Sequence, residues 1–68
     1  MKLSARNVLP GRIVEIVTGA VTSHVRIDVG GSVVTSAITN AAVEELGLTV
    51  GGEAYAVIKA SDVMIGTD

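Results

Sequence analysis

The sequence predicts a mainly β chain: an OB-like Greek-key small barrel of five to six short strands with one short helix. Three observations carry this. Turn signals punctuate the chain at Pro10-Gly11, Thr18-Gly19-Ala20, Gly30-Gly31 and Gly51-Gly52, the spacing of a β-meander rather than of helices. The segments between them are rich in Val, Ile and Thr, which suit a pleated, half-buried surface. A single helical stretch falls between the later strands, where a barrel of the OB type carries its helix.

Residues 3–9 form the first expected strand. Ser4, Arg6 and Val8 share one face; Leu3, Ala5, Asn7 and Leu9 share the other. Pro10-Gly11 is read as a turn. Residues 12–17 form the next strand, with Ile13 and Val17 flanking Glu15 on one face and Val14 and Ile16 on the other. Both faces carry aliphatics, as when a small barrel fills its interior and also meets a partner. Residues 21–29 alternate best: Val21, Ser23, Val25, Ile27 and Val29 against Thr22, His24, Arg26 and Asp28. Gly30-Gly31 signals a hairpin, and residues 32–39 return as a strand. Thr39-Asn40 offers a helix N-cap. Ala42, Val43 and Leu46 lie at helical spacing, Glu44 and Glu45 lie in the exposed arc, and Gly47 stops the helix. Residues 53–59 give another strand, Ala60-Ser61-Asp62 breaks it, and residues 63–65 form a short last one.

The totals bound the function. At 68 residues the chain is expected to be one domain, 1–68, too small to bury much of its surface. It has no cysteine and one histidine, His24, so disulfides and a structural zinc site are not its supports. Hydrophobic residues make up 49% of the chain, yet no run approaches the ~20 apolar residues of a membrane span. Association with copies of itself is the expected remedy. The formal net charge is -2 and Tyr55 is the only aromatic. A nucleic-acid binder needs a basic face for phosphates and rings for bases, so no nucleic acid is expected as a partner. Met1-Lys2-Leu3 runs straight into polar residues, without the apolar core of a signal peptide; a cytoplasmic protein is expected, with no membrane partner.

Enzyme readings are weak. His24 is the only candidate base and sits on an alternating strand, away from any nucleophile-elbow pattern. Glu44 and Glu45 are adjacent helix positions, which diverge by about 100° and do not share a site. No phosphate loop or dinucleotide fingerprint occurs, and the paired glycines read as turns.

A different chemistry suits the chain better. A fully deprotonated tetrahedral dianion presents only acceptors and prefers a pocket of donors: backbone N–H, hydroxyl, guanidinium, ammonium. A protonated phosphate would turn its O–H onto donors, an unmade bond costing about 1–3 kcal/mol. Such a pocket therefore favours molybdate, tungstate or sulfate, and size alone separates sulfate from the larger two. Ser4 and Arg6 on one strand face, Lys59-Ala60-Ser61 entering a turn where successive N–H groups converge, and Thr39 at a strand end are the candidate donors. The plainer alternative is that Arg6 and Lys59 pair with Glu53 or Asp62 at the surface, and that Ser4 and Ser61 are turn and edge residues.

Ser4-Ala5-Arg6-Asn7, Gly11, Gly19-Ala20-Val21, Ala37-Ile38-Thr39, Glu45-Leu46-Gly47-Leu48 and Val57-Ile58-Lys59-Ala60-Ser61 follow one another in an order that resembles the molbindin (Mop, TOBE-type) domain. The likeness covers nearly the whole chain and is that of a free-standing single Mop protein. It implies an OB-like barrel assembled as a hexamer, a trimer of dimers. It implies molybdate or tungstate at subunit interfaces, with molybdenum or tungsten present only as the oxyanion and no direct protein ligand to the metal. Carried over, the oxyanion-binding residues are Ser4, Ala5, Arg6, Asn7, Thr39, Lys59, Ala60 and Ser61. The Ser4 and Arg6 segment comes from one chain, and Thr39 and the Lys59 segment from another. A second oxyanion site would be lined by Gly19, Ala20, Val21 and Thr22; His24 and Arg26 receive no role. The implied function is storage and buffering of molybdate, without a catalytic cofactor. Two alternatives stand beside it: an oxyanion-sensing module docking on a molybdate transporter ATPase, and an OB-type nucleic-acid adaptor.

Overall fold

The computed structural model describes all 68 residues, Met1–Asp68. In chain order the elements are β1 (Asn7–Thr18), β2 (Thr22–Asp28), β3 (Val33–Thr39), α1 (Asn40–Glu45) and β4 (Glu53–Ile58), with a 3-10 turn at Ala60–Asp62. The strands form one antiparallel sheet in the order β3-β2-β1-β4. β3 and β4 are not paired to each other, so this OB-like small barrel stays open along one side.

Four strands stand where five to six were expected. Pro10-Gly11 is no turn: the two expected opening strands are the single β1, and Pro10 and Gly11 pair with Tyr55 and Ala54. The reason lies in the neighbours. β1 pairs with β4 through residues 7–12 and with β2 only from Arg12 onward. Pro10 therefore lies where the strand has a neighbour on one side only, a position that tolerates a missing N–H. Gly11 is required for closeness rather than for turning: a Cβ there would sit 2.5 Å from the Asp28 carbonyl oxygen and 2.7 Å from Ile27 Cγ2. The expected strand beginning at Leu3 is also corrected. β1 starts at Asn7, and Ser4 and Arg6 precede it. Residues 63–65 form no strand, because within the chain no free sheet edge lies against them.

The expected faces of β1 change as well. The register slips between Ile13 and Glu15, a bulge that leaves Val14 as the extra residue. Ile13, opposite Ile27, and Ile16, opposite Val25, consequently both face inward, whereas strict alternation had placed them on opposite sides. β2 alternates as its sequence predicts, with Ser23, Val25 and Ile27 buried and His24 and Arg26 exposed. Gly30 and Gly31 turn the hairpin at φ 103° and 101°, where other residues are strained.

Thr39 caps α1, its Oγ1 accepting from the Ala42 N–H at 3.1 Å, and Gly47 ends it at φ 62°. The helix is too short to hold an apolar stripe. Leu46, expected on its inner face, is its C-cap and is 68% exposed, while Val43 and Leu48 make the contact with the core. The core itself is small: Ile13, Val25, Ile27 and Ala56, with Ser23 the one buried polar residue. The aliphatic excess is on the outside. Val8 and Val57 lie opposite each other and exposed, beside Tyr55.

Candidate oxyanion site

β1 and β4 run antiparallel, so the last rung of their ladder is Asn7 opposite Ile58. Ser4-Ala5-Arg6 enters the sheet at that rung, and Lys59-Ala60-Ser61 leaves it there. Segments more than 50 residues apart in sequence are thus neighbours within one chain. Asn7 ties them directly: its Nδ2 donates to the Ile58 carbonyl at 3.2 Å. Lys59 is extended (φ −65°, ψ 141°), and the chain then tightens into the 3-10 turn. Asp62 N–H donates to the Lys59 carbonyl at 2.9 Å, and Val63 N–H to the Ala60 carbonyl at 3.3 Å.

The donors at this end are unspent. The N–H groups of Lys59, Ala60 and Ser61 donate to no protein acceptor, and neither do the side chains of Ser4, Arg6, Lys59 and Ser61. The surface pairing of Arg6 or Lys59 with Glu53 or Asp62 does not occur. The one ion pair is Arg26–Glu15 at 3.9 Å, half exposed on both sides and therefore of little energetic weight. Ser4, Arg6, Lys59, Ala60 and Ser61 are exposed; Ala5 and Asn7 are half-buried. Since Ser4 and Arg6 lie outside β1, the reading that one strand face projects both is corrected: an irregular segment carries them. Two concave regions of the surface, one around Pro10–Arg12 and one over the core, contain neither Arg6 nor Lys59, and in one chain the exposed donors form an open patch. No three His, Cys, Asp or Glu residues cluster as cation ligands.

Thr39 is elsewhere. It pairs with Thr22, and Ser23 with Thr18, so Thr39 belongs to the other end of β1, together with Gly19, Ala20, Val21 and Thr22. No hydrogen bond joins the two groups. Two residues that the sequence reading passed over organise this second end. Ser23 Oγ donates to Asn40 Oδ1 at 2.5 Å, and Asn40 Nδ2 donates to the Gly19 carbonyl at 3.0 Å. The backbone closes the knot, with Asn40 N–H to the Val21 carbonyl and Gly19 N–H to the Thr22 carbonyl, both at 2.8 Å. A sequence signal existed: a serine in the inward row Ser23, Val25, Ile27 requires a partner once buried, whereas Val21, expected in the same row, precedes β2 and is exposed. The Thr39 hydroxyl accepts from its helix and keeps its proton for donation, and the N–H groups of Ala20 and Val21 are likewise uncommitted.

The chain carries its own example of an anion held by N–H groups. Asp28 Oδ1 accepts from Gly30 N–H at 2.9 Å and Gly31 N–H at 3.2 Å. The Gly30 bond, then the Gly31 bond, hold the exposed carboxyl below its ordinary range, against a smaller opposing effect of desolvation. Converging N–H groups favour the deprotonated anion.

Residues 3–65 match the TOBE domain model. A probable molybdenum-pterin-binding protein of Haemophilus influenzae is 54% identical over 69 residues, covering all of both chains. Among solved structures, a molybdate-binding protein from Sporomusa ovata superposes with a TM-score of 0.92 at 34% identity, covering 98% of this chain and 100% of that one. The cytoplasmic molybdate-binding protein ModG, with molybdate bound, gives a TM-score of 0.94 at 48% identity, covering all of this chain and 49% of that one.

Proposed function

Because this chain belongs to the TOBE domain family, in its molbindin branch, we propose that it binds molybdate or tungstate as a cytoplasmic store and buffer, between the subunits of a homo-oligomer. The observation that carries the reading is the meeting of Ser4–Asn7 with Lys59–Ser61 at one rung, donors free. Arg6 and Lys59 supply charge, Ser4 and Ser61 hydroxyls, and the N–H groups of residues 59–61 a converging cradle. The metal takes no protein ligand; every contact is made to oxo groups. The protein acts by binding and performs no catalysis.

The open patch becomes a closed site when another copy covers it. The Thr39 end is the natural complement, with its hydroxyl proton and the free N–H groups of Ala20 and Val21. The same Gly19–Thr22 loop lines a second site in this reading. A hexamer, a trimer of dimers, would bring both kinds of end together, and the exposed apolar residues Val8, Tyr55 and Val57 support such association. An anion bound across a seam stabilises the assembly by mass action.

Titration calorimetry and native mass spectrometry test this together. Molybdate and tungstate should bind, several ions per assembly. Hydrogen phosphate should bind about one to two orders of magnitude more weakly, the fold-change set by one unpaired O–H. Equal affinity for phosphate and molybdate would sink the donor-only site.

A further inference from the structure

We infer that Asn7 is a positioning residue for the anion: it holds no oxo group itself, and it aims the Lys59 N–H by gripping the other end of the same peptide unit. This rests on the oxyanion reading above and gives one residue its part in that site.

Asn7 Nδ2 donates to the Ile58 carbonyl at 3.2 Å, across 51 positions of sequence. Chemistry fixes which way the amide faces: turned over, it would set its own oxygen against a carbonyl oxygen. An ionised aspartate has the same shape but only accepts, so it cannot make this bond. Asn7 is half-buried, which withdraws the bond in part from competing water.

The grip reaches further than Ile58. No peptide bond in the chain is cis, and a trans peptide unit is planar, with its C=O and N–H pointing opposite ways. The Ile58 carbonyl and the Lys59 N–H are the two ends of one such unit. Holding the carbonyl toward Asn7 therefore turns the Lys59 N–H away from it, and that N–H is one of the uncommitted donors. An anion seated there lies on the far side of the peptide unit, beyond reach of the Asn7 amide.

Nothing else holds this unit from the β1 side. Asn7 opposite Ile58 is the last rung of the β1–β4 ladder, and no hydrogen bond joins residues 1–6 to residues 59–68. The bonds of Asp62 N–H to the Lys59 carbonyl and of Val63 N–H to the Ala60 carbonyl tie the 3-10 turn only to itself. Ends of secondary structure open most easily. Without the grip the unit between Ile58 and Lys59 is free to rock, and each binding event has to order the 59–61 cradle, at a cost in entropy.

Asn7→Ala and the equally shaped Asn7→Asp test this against the parent protein. In the anion-free state, 15N relaxation should show the Lys59 amide leaving the rigid range, an order parameter of about 0.85, for the mobile range below about 0.6 in both variants, with the amides of β2 unchanged. In calorimetry, tungstate should bind Asn7→Ala about three- to tenfold more weakly, the weight of one neutral hydrogen bond. The loss should fall on the binding entropy, with the enthalpy preserved. Asn7→Asp, which adds a negative charge, should lose more. Weaker binding with the Lys59 amide as rigid as in the parent would make Asn7 a direct ligand and overturn the inference. Unchanged affinity in both variants would overturn it too, whatever happens to the amide or to the urea midpoint. A parent protein that binds no tungstate would sink the oxyanion reading and this inference with it, whereas a failure confined to the variants sinks this inference alone.

Discussion

The two ends of β1 use their hydrogen-bond donors in opposite ways. At the Thr18 end most are spent: Ser23, Asn40, Gly19 and the Val21 carbonyl close on one another in a knot around a buried hydroxyl, while the Thr39 hydroxyl proton and the N–H groups of Ala20 and Val21 stay uncommitted. At the Asn7 end, one bond from Asn7 to Ile58 holds two segments together, and the remaining side chains and N–H groups face outward with no acceptor. The first arrangement fixes the chain's own fold. The second leaves its donors without an acceptor in the chain. Free donors cost nothing in water, so an end of this kind persists without a ligand and gains when an acceptor-only ligand arrives.

Substitutions should separate the two ends. The largest effect is expected for Asn40→Ala, which leaves the fully buried Ser23 hydroxyl without its acceptor and unties the Gly19 carbonyl. A loss of about 2–4 kcal/mol is expected from one orphaned buried group and the bonds lost with it, read by urea unfolding. For a chain with so few buried side chains, that approaches its whole stability. A loss below half a kilocalorie would remove the structural role given to this end. Arg6→Ala and Lys59→Ala should do the reverse. Each should weaken tungstate binding by about ten- to a hundredfold, the range of one charge-assisted bond, with unfolding unchanged; calorimetry that finds both affinities intact would show that the free donors serve something else.

The smallest effect concerns Asp28, the anion the chain already holds by N–H groups. Its folded pKa is depressed, so its contribution is present above the ordinary aspartate value of about 3.9 and is lost as the pH falls through the lowered folded value. Carboxyl chemical shifts should titrate below the ordinary range, and Asp28→Asn should abolish that slight dependence of stability on pH. A carboxyl titrating at its ordinary value would undercut the claim that paired N–H groups here prefer the unprotonated form.

What the sequence made legible was local. Gly30-Gly31, the alternation of Thr22–Asp28, the Thr39 cap and the Gly47 stop each depend on residues within a few positions. β1 was misread because Pro10-Gly11 is a turn signal only when both sides of a strand must pair; here one side is empty, and the glycine answers to a carbonyl 17 positions away. The bulge at Val14 hides for a similar reason, since it is defined by β2. The meeting of the Arg6 and Lys59 segments within one chain depends on a register set by β1 and β4, which periodicity cannot supply; the family likeness had placed the two segments on different chains. The Ser23–Asn40 knot was visible only as a serine in an aliphatic row.

The extra residue at Val14 has a consequence for shape. Removing it would leave Ile13, Glu15 and Ile16 in an ordinary in-out-in sequence, every inward side chain still pointing inward. What would vanish is the bend that lets one ribbon serve β4 with its first half and β2 with its second. A residue outside the core thus decides whether this chain curls into a trough or lies as a flat mat.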